Sequence, residues 1–325
     1  MPALRTGSIS AWRQLSPVLA TFRLASADGH RFPGYEAGQY IALRRENCRL
    51  TRRVRTPDGQ TRFVPDLDER GRQKRDPVTH AYSIASAPYQ TESEGHLEFF
   101  VVLEVSDSLG RLTESLFDSE PREGGTLGYV ERIAGDFTLT RRGAGAPHVL
   151  MVATGTGVAP LASMVRQLDH DAAAGRPVPE RVTLLYGNRT EAELAFHAEL
   201  EAVAAAGRFD FAYVPTVSRP ADEGTPETLG RGRASNVLRL LLDLPTREDE
   251  ALAEARAAGA DTSALEAALE RTVRPRLPAA IDPAALRARL DPATTVLLTC
   301  GNPTGMDDVA RAALARGIRV EREEW

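Results

Sequence analysis

The spacing of apolar residues divides the chain into two halves with different patterns. Up to about Leu139, short apolar or alternating runs are separated by turn residues, which is typical of strands. The runs are VLATFRLAS, GQYIALR, AYSIAS, HLEFFVVLEV and GDFTLT, with one short helix near LTESLF. This pattern predicts a closed or nearly closed antiparallel β-barrel, and we place this first domain at residues 1–142.

After Gly143 the chain alternates between strand and helix. The predicted strands are HVLMVA, RVTLLYG, FDFAYVPTV and TTVLLTCG, and the predicted helices begin at Ala159 and cover EAELAFHAELEAVAA, ASNVLRLLLD and MDDVARAALAR. Repeated βα units of this kind build a doubly wound parallel sheet, so we expect an α/β domain over residues 143–325. The uncharged stretch Gly143–Val165 is long enough for a membrane span, but its glycines and prolines favour strand, turn and helix.

Two segments interrupt these patterns and are interpreted as insertions. Residues 44–75 contain eleven basic and five acidic residues, with TPDGQT as a hairpin turn in the middle. Residues 246–278 are rich in alanine and glutamate and predict helix. The first insertion is therefore strongly basic within an acidic protein.

Composition limits the classes of function. A chain of 325 residues with 42% apolar residues can bury two cores, and its net charge of −5 argues against a nucleic-acid partner. Lys74 is the only lysine, so single arginines carry little information. Cys48 and Cys300 are too few for an iron–sulfur cluster or a disulfide framework. The first residues show no export signal, so we expect a cytoplasmic protein without a membrane partner.

Two glycine-containing loops follow predicted strands of the α/β half. TGTGVAP, Thr154–Pro160, connects the first strand to its helix, and TCGNPTGM, Thr299–Met306, follows a later strand. Glycines let backbone N–H groups approach a pyrophosphate at a helix N-terminus. Either loop alone is also compatible with an ordinary turn, but two in one sheet favour a dinucleotide site.

Five short motifs then occur in a specific order: GQY, HAYSIAS, TGTGVAP, LLYGNR and CGNPTGM. In this order and on these elements they resemble the ferredoxin–NADP reductase family of flavoenzymes, over nearly the whole chain apart from the two insertions. The resemblance implies an FAD-binding barrel and an NADP-binding sheet, with hydride transfer between nicotinamide C4 and flavin N5.

The resemblance also assigns residues to the flavin. In the family's R-x-Y-S motif the tyrosine lies against the isoalloxazine and the serine lies near N5, which implies these roles for Tyr82 and Ser83. His80 stands where the family has an arginine against the FAD pyrophosphate, and Ala81 completes the motif. An imidazole lacks the charge and fork of a guanidinium, so Leu112 and Thr113 of the family's second phosphate segment are expected to compensate.

The nucleotide residues are implied in the same way. The two loops contribute Thr154, Gly155, Thr156, Gly157, Gly301, Asn302 and Pro303 to cofactor binding. Arg189, Ser218, Arg219 and Arg233 match positions that hold the 2′-phosphate in bacterial members, and they predict a preference for NADPH. Cys300 and Glu321 are expected to shape the nicotinamide pocket together with Ser83, and Trp325 resembles the terminal aromatic residue that covers flavin or adenine.

The resulting prediction is an FAD-dependent reductase that passes electrons between NADP(H) and an acidic one-electron carrier, ferredoxin or flavodoxin. Two alternatives remain at this point. One is a reductase that serves an oxygenase or free flavin. The other is a non-catalytic nucleotide-sensing module whose barrel has lost FAD, which His80 favours.

Overall fold

The computed structural model describes residues 3–56, 59–104, 110–118, 123–221 and 224–323. They form two compact units, one ending at Asp136 and the other starting at Phe137, whereas the sequence suggested a boundary at 142/143. One unit contains a six-stranded antiparallel sheet and the other a six-stranded parallel sheet. The predicted fold class is thereby confirmed.

The first unit is the barrel. Its elements are β1 (Leu4–Ser16), β2 (Leu19–Ser26), β3 (Tyr40–Arg49), β4 (Thr51–Arg55), β5 (Thr61–Pro65), β6 (Arg75–Ser83), α1 (Pro88–Glu94), β7 (His96–Val102), α2 (Leu112–Phe117) and β8 (Thr126–Ala134). The strand order is β6-β3-β8-β1-β2-β7, and the N–H of Ala85, just after β6, donates to the carbonyl of Glu98 on β7 at 2.8 Å. The two edge strands therefore approach each other and nearly close the barrel.

One strand prediction for this unit was wrong, and two strands were not predicted. GDFTLT is not a strand, because Gly135 follows the end of β8 with a φ of +108° and Leu139–Arg142 are helical. Strands β1 and β8 were missed. Nine of the thirteen residues of β1 are polar or exposed, so its alternation of apolar and polar residues is weak.

The second unit is a doubly wound α/β domain. Its strands are β9 (His148–Thr154), β10 (Arg181–Asn188), β11 (Phe211–Val217), β12 (Gly230–Arg231), β13 (Thr295–Cys300) and β14 (Arg319–Arg322). Its helices are α3 (Leu139–Arg142), α4 (Val158–Ala173), α5 (His197–Ala206), α6 (Ala234–Leu241), α7 (Arg247–Ala257), α8 (Ser263–Glu270), α9 (Pro283–Ala288) and α10 (Pro303–Leu314). The order β12-β11-β10-β9-β13-β14 reverses direction at β9. Open α/β sheets bind ligands at such a switch point, outside the carboxyl ends of the strands.

Both insertions form regular structure. In the first, β4 and β5 pair as an antiparallel hairpin from Thr51 opposite Pro65 to Arg55 opposite Thr61, as predicted, although part of the turn lies outside the described residues. The second insertion contains α7 and α8, and Arg276 near its end exchanges two backbone hydrogen bonds with Arg231 of β12. The second insertion is thus attached to the edge of the parallel sheet.

A buried arginine fixes α7 more firmly. The side chain of Arg239 on α6 is 1% exposed, and its Nη2 donates to Asp308 of α10 and to Glu250 of α7, both at 2.8 Å. A buried guanidinium must be paired, because removal of one partner leaves a charge without solvent or counterion. Arg239 therefore joins three helices, one of which comes from the insertion.

Over the described ranges, no helix is long and apolar enough to cross a membrane. The same residues contain no group of three or more His, Cys, Asp or Glu side chains arranged to hold a metal ion.

Candidate cofactor site

In the barrel unit, Tyr82 and Ser83 end strand β6. Tyr82 pairs with Ile41 of β3 and packs against the barrel core, and burial raises the pKa of its phenol, so the group is neutral. Ser83 is 6% exposed, and its Oγ is buried without a hydrogen-bond partner within the described part of the chain. Since a buried hydroxyl without a partner is costly, Ser83 Oγ, which none of the described residues satisfies, fits a ligand atom at this place.

His80 lies two residues before Tyr82 on the same face of β6 and pairs with Leu43. It is partly buried, and burial lowers the pKa of its imidazole, while the carboxylate of Glu104 acts in the opposite direction. His80 is therefore neutral at pH 7 and has one N–H to donate. Ala81 is exposed on the opposite face.

The second flavin segment precedes and includes the six-residue helix α2. Gly110 has a φ of +151°, and a Cβ at this position would lie 2.6 Å from Val78 Cγ2, so glycine is required there. Leu112 and Thr113 are both buried, and Thr113 Oγ1 accepts the backbone N–H of Glu104 at 3.0 Å. The hydroxyl proton of Thr113 is still available for an anionic acceptor.

In the α/β unit, the two predicted loops lie against each other at the switch point. A Cβ on Gly157 would overlap the carbonyl of Cys300, and a Cβ on Gly301, whose φ is +141°, would overlap Thr154 Oγ1. Only glycine permits this approach of the loops after β9 and β13. Thr154 Oγ1 is buried and has no hydrogen-bond partner among the residues that the structure describes.

The surroundings of these loops are suited to a phosphate. Gly155–Gly157 form a 3₁₀ turn that leads directly into the sixteen-residue helix α4, whose N-terminal N–H groups and dipole favour an anion. Thr156 lies within that turn. After β13, Asn302 accepts the N–H groups of Thr304 and Gly305 and caps α10, and Pro303 is the first residue of that helix. The buried hydroxyl and the glycine contact fit a dinucleotide in this unit, as Ser83 and Tyr82 fit a flavin in the other.

The carboxylate residue next to Cys300 across the pairing of β13 and β14 is Glu323 and not Glu321. In the pairing of β13 with β14, Glu321 lies beside Leu298, and its carboxylate accepts from Arg142 Nη1 at 3.0 Å. The N–H of Glu323 donates to Thr299, and Glu323 is 4% exposed. Burial, and in addition the charge of Glu323, raises the pKa of the Cys300 thiol well above its usual value. The expectation for Glu321 came from the resemblance of RVEREEW to the family's C-terminus, before the register of β14 was known, and Trp325 lies outside the described residues.

The four predicted 2′-phosphate residues lie after neighbouring strands. Arg189 follows β10, Ser218 and Arg219 follow β11, and the N–H of Arg219 donates to the carbonyl of Arg189 at 2.7 Å. Arg233 follows β12 and begins α6. Parallel strands end at one edge, so these side chains share the carboxyl edge of the sheet.

Two of these arginines already have carboxylate partners. Arg189 contacts Glu193 at 3.1 Å, and Arg233 contacts Glu248 of α7 at 3.1 Å. Arg219 is exposed. Sequence reasoning missed Glu248, because nothing in the pattern indicated which residue of the second insertion approaches Arg233.

Comparisons with known proteins agree with this geometry. Residues 151–236 match the family described as oxidoreductase NAD-binding domain. Over 223 residues the chain is 34% identical to ferredoxin–NADP reductase B of Sorangium cellulosum (strain So ce56), with 68% of this chain and 71% of that protein covered.

Two solved structures share the fold. A ferredoxin NADP⁺ reductase from Neisseria gonorrhoeae with bound FAD and NADP matches 98% of both chains with a TM-score of 0.57 and 21% identity. The Amycolatopsis cytochrome P450 reductase GcoB matches all of this chain and 71% of its own, with a TM-score of 0.59 and 17% identity. The sequence relative, the matched domain and the two-unit fold agree. The chain belongs to the ferredoxin–NADP reductase family of flavoenzymes.

Proposed function

We propose that this protein is an FAD-dependent oxidoreductase that passes electrons between NADP(H) and a one-electron carrier such as ferredoxin or flavodoxin. The observation that carries the proposal is the buried hydroxyl of Ser83, which has no hydrogen-bond partner among the described residues and follows a tyrosine on the inner face of the barrel. When bound, FAD supplies two-electron exchange with the nicotinamide and one-electron exchange with the carrier.

In the barrel unit the protein binds and orients the flavin. Tyr82 offers a flat apolar ring, and Ser83 offers a hydroxyl proton to the flavin atom that it faces. Neutral His80 and the hydroxyl of Thr113 would donate to the diphosphate of bound FAD without adding charge. Because no guanidinium takes part among these residues, we expect FAD to be held less tightly than in a variant with His80→Arg.

In the α/β unit the protein binds the pyridine nucleotide. The hydroxyl of Thr154 and the N–H groups at the start of α4 would hold the pyrophosphate of the nucleotide, and Asn302 caps the helix that follows the next loop. The Cys300 thiol remains protonated, since its pKa is raised, and it serves as a small, uncharged wall. We assign the carboxylate of the nicotinamide pocket to Glu323 because it is buried beside Cys300.

Selection of NADPH over NADH is assigned to Arg189, Ser218, Arg219 and Arg233. Guanidinium and hydroxyl groups at one edge of a sheet match a phosphate dianion better than a ribose hydroxyl. Arg219, which is exposed, is assigned the largest share.

Reduction of acidic carriers is supported by the basic first insertion. Arg52, Arg53 and Arg55 are all exposed on β4. A positive surface of this kind increases the rate at which an acidic partner associates.

The deciding experiment measures NADPH-dependent reduction of a panel of ferredoxins and flavodoxins by the purified protein, together with its visible absorption spectrum. A flavin spectrum and reduction of an acidic carrier are expected. A colourless protein that takes up no FAD contradicts the enzymatic proposal and favours the nucleotide-sensing module. Reduction of oxygenase components alone favours the oxygenase reductase, to which the shared fold with a cytochrome P450 reductase is relevant.

Glu323 is tested separately from Glu321. Glu323→Gln should slow flavin reduction by NADPH in single-turnover measurements, whereas Glu321→Gln should leave this rate within about twofold. Equal effects of the two substitutions contradict the assignment.

A further inference from the structure

The side chains of Arg189 and Glu193 form a two-point contact just after strand β10. Arg189 Nε donates to Glu193 Oε2 at 3.2 Å, and Arg189 Nη2 lies 3.1 Å from Glu193 Oε1. Two different nitrogens thus face two different oxygens, which is the bidentate, side-on form of an arginine–carboxylate pair.

This contact occupies only one edge of the guanidinium. Arginine carries several N–H donors in a planar fork, and the side-on pair uses the edge that Nε and Nη2 form. The end of the fork, where Nη1 lies, makes no hydrogen bond or ion pair with the residues that the structure describes, and 41% of the Arg189 side chain is exposed. An anion can therefore bind the end of the guanidinium while Glu193 holds its side.

Glu193 is itself held in place by its surroundings. Its side chain is 8% exposed, and the residue closes a single 3₁₀ turn. Asn188 Nδ2 donates to the carbonyl of Glu193 at 2.6 Å, and Asn188 Oδ1 accepts the N–H of Arg189 at 2.9 Å. The next two residues, Leu194 and Ala195, are buried. The backbone at both ends of the ion pair is thereby fixed, so the carboxylate can set the direction of the guanidinium.

The other paired arginine of the site, Arg233, is held in a different way. Its contact with Glu248 uses Nη1, a nitrogen at the end of the fork. That carboxylate occupies an N–H group that an incoming phosphate needs, whereas Glu193 leaves the end of Arg189 open. The two acidic partners should therefore have opposite effects on a phosphate ligand.

We propose that Glu193 is a positioning residue for the selection of NADPH, because its side-on pair with Arg189 presents the end of that guanidinium to the 2′-phosphate. This inference rests on the proposed function, since it takes Arg189 as a ligand of the 2′-phosphate. A guanidinium that is fixed in advance loses less conformational entropy when the phosphate binds. The negative charge of Glu193 is compensated by the arginine that it holds.

The sign of a substitution at Glu193 separates positioning from charge. A carboxylate near a phosphate repels it, so removal of the charge alone would strengthen the binding of NADP⁺. Loss of positioning has the opposite sign, because a glutamine side chain has one acceptor oxygen and an NH₂ group that cannot accept from the guanidinium. NADH lacks the 2′-phosphate and should respond in neither case.

The test measures the Kd of NADP⁺ by calorimetry with the FAD-loaded protein. It also measures the ratio of kcat/KM for NADPH to kcat/KM for NADH, with ferricyanide as electron acceptor. The variants are Glu193→Gln, Arg189→Ala and the two combined. Glu199→Gln is the matched control, since Glu199 on α5 also pairs side-on, with Arg166 in the third turn of α4, away from the N-terminus of that helix.

We expect Glu193→Gln to raise the Kd of NADP⁺ and lower the kcat/KM ratio at least threefold, and Arg189→Ala to do so at least fivefold. The double variant should lie within twofold of Arg189→Ala, because Glu193 then has no arginine to position. The control should change either quantity less than twofold. The flavin spectrum and melting temperature verify folding. If Glu193→Gln is unstable, Glu193→Asp replaces it with at least a twofold loss expected, because the shorter side chain keeps the charge but cannot make both contacts.

Three results overturn the proposal. Unchanged or tighter NADP⁺ binding by Glu193→Gln, with Arg189→Ala still impaired, overturns this inference and leaves the proposed function intact. Additive losses in the double variant also overturn the inference alone, because they mean that Glu193 acts independently of Arg189. A wild type that does not bind NADP⁺, or an Arg189→Ala variant that binds it normally, overturns the assigned phosphate site and the inference with it.

Discussion

Arg233 Nη1 donates to Glu248 Oε1 at 3.1 Å, while Glu248 Oε2 accepts from Asn236 Nδ2 at 2.8 Å. The side chain of Arg233 is 63% exposed and that of Glu248 is 12% exposed. The second insertion thus supplies a carboxylate, held by α6, to an arginine that we assign to the 2′-phosphate. If Arg233 binds that phosphate, Glu248 would compete with the phosphate for the same guanidinium and repel its charge.

Glu248→Gln should therefore increase the affinity for NADPH. An exposed ion pair is worth about 0–1 kcal/mol, so the Kd for NADPH should fall about threefold. The Kd for NADH should not change. Glu254→Gln, at an exposed position of the same helix, is the control. Weaker NADPH binding by Glu248→Gln means instead that the carboxylate orients Arg233 for the phosphate.

Arg219→Ala should reduce the preference for NADPH. An arginine that bonds a phosphate contributes about 1.5–3 kcal/mol, so kcat/KM for NADPH should fall roughly 10- to 150-fold. The value for NADH should barely change, and Arg311→Ala on α10 should alter neither. If kcat/KM falls equally for NADPH and NADH, Arg219 contacts a part of the nucleotide that the two cofactors share.

Ser83→Ala should slow flavin reduction by NADPH in stopped-flow measurements while FAD is retained. In the FAD-free protein the same substitution should not lower the melting temperature, since it removes a buried hydroxyl that has no protein partner in the described structure. Thr79→Ala, at an exposed position of the same strand, is the control. An unchanged rate constant with FAD in place excludes Ser83 from the reaction.

His148 should make the protein less stable in acid. Its ring nitrogens contact Thr295 Oγ1 at 3.1 Å and Thr183 Oγ1 at 3.0 Å, and burial lowers its pKa from 6.5 to about 4. Between pH 4 and pH 6.5 the imidazole binds a proton in the unfolded chain but not in the folded protein. The contribution of neutral His148 to the unfolding free energy is therefore complete above pH 6.5 and is lost as the pH falls towards 4. The shift corresponds to about 3 kcal/mol of unfolding free energy.

Urea unfolding between pH 4 and 7 measures this effect. His148→Asn should reduce the pH dependence across that window by about one proton. His170→Asn on α4 should retain the wild-type slope. If the unfolding free energy of the wild type and of His148→Asn depends on pH in the same way, the acid sensitivity does not come from His148.

The triple variant Arg52→Gln, Arg53→Gln, Arg55→Gln should slow electron transfer to an acidic ferredoxin or flavodoxin. The three side chains are exposed on β4, so their charges act through solvent and the effect should shrink as salt is added. Reduction of a small neutral quinone should be unaffected. If the wild type and the triple variant reduce the acidic carrier at equal rates at low salt, the hairpin does not attract the carrier.

The sequence predicted the α/β unit better than the barrel for a physical reason. Strands β9, β10 and β13 are buried on both faces and therefore read as continuous apolar runs. Strands β1 and β8 alternate with exposed or half-buried side chains, and the end of β8 depends on Gly135, whose backbone conformation no apolar pattern reveals. Helix α5 likewise starts only at His197, because Phe196 adopts a φ of +62°.

Those residues of the candidate site that lie in short motifs could be predicted from the sequence. Those whose position depends on pairing between distant segments could not. The glycines at 157 and 301 were found because they lie in loops that follow predicted strands and in motifs that resemble those of the family. Glu323 was missed because its position beside Cys300 depends on the register of β14, a strand of four residues. Glu248 was missed because it depends on the tertiary placement of a helix whose own sequence is typical of any solvated helix.

The buried guanidinium of Arg239 determines how the second insertion responds when the protein is stressed. Its two carboxylate partners, Glu250 and Asp308, lie on helices that are far apart in sequence. Detaching α7 by itself would remove one of the two carboxylates that pair with the buried guanidinium and leave it with Asp308 alone. We therefore expect the insertion to unfold together with the nucleotide half, so that native-state hydrogen exchange in α7 should proceed through the same opening as that of α6.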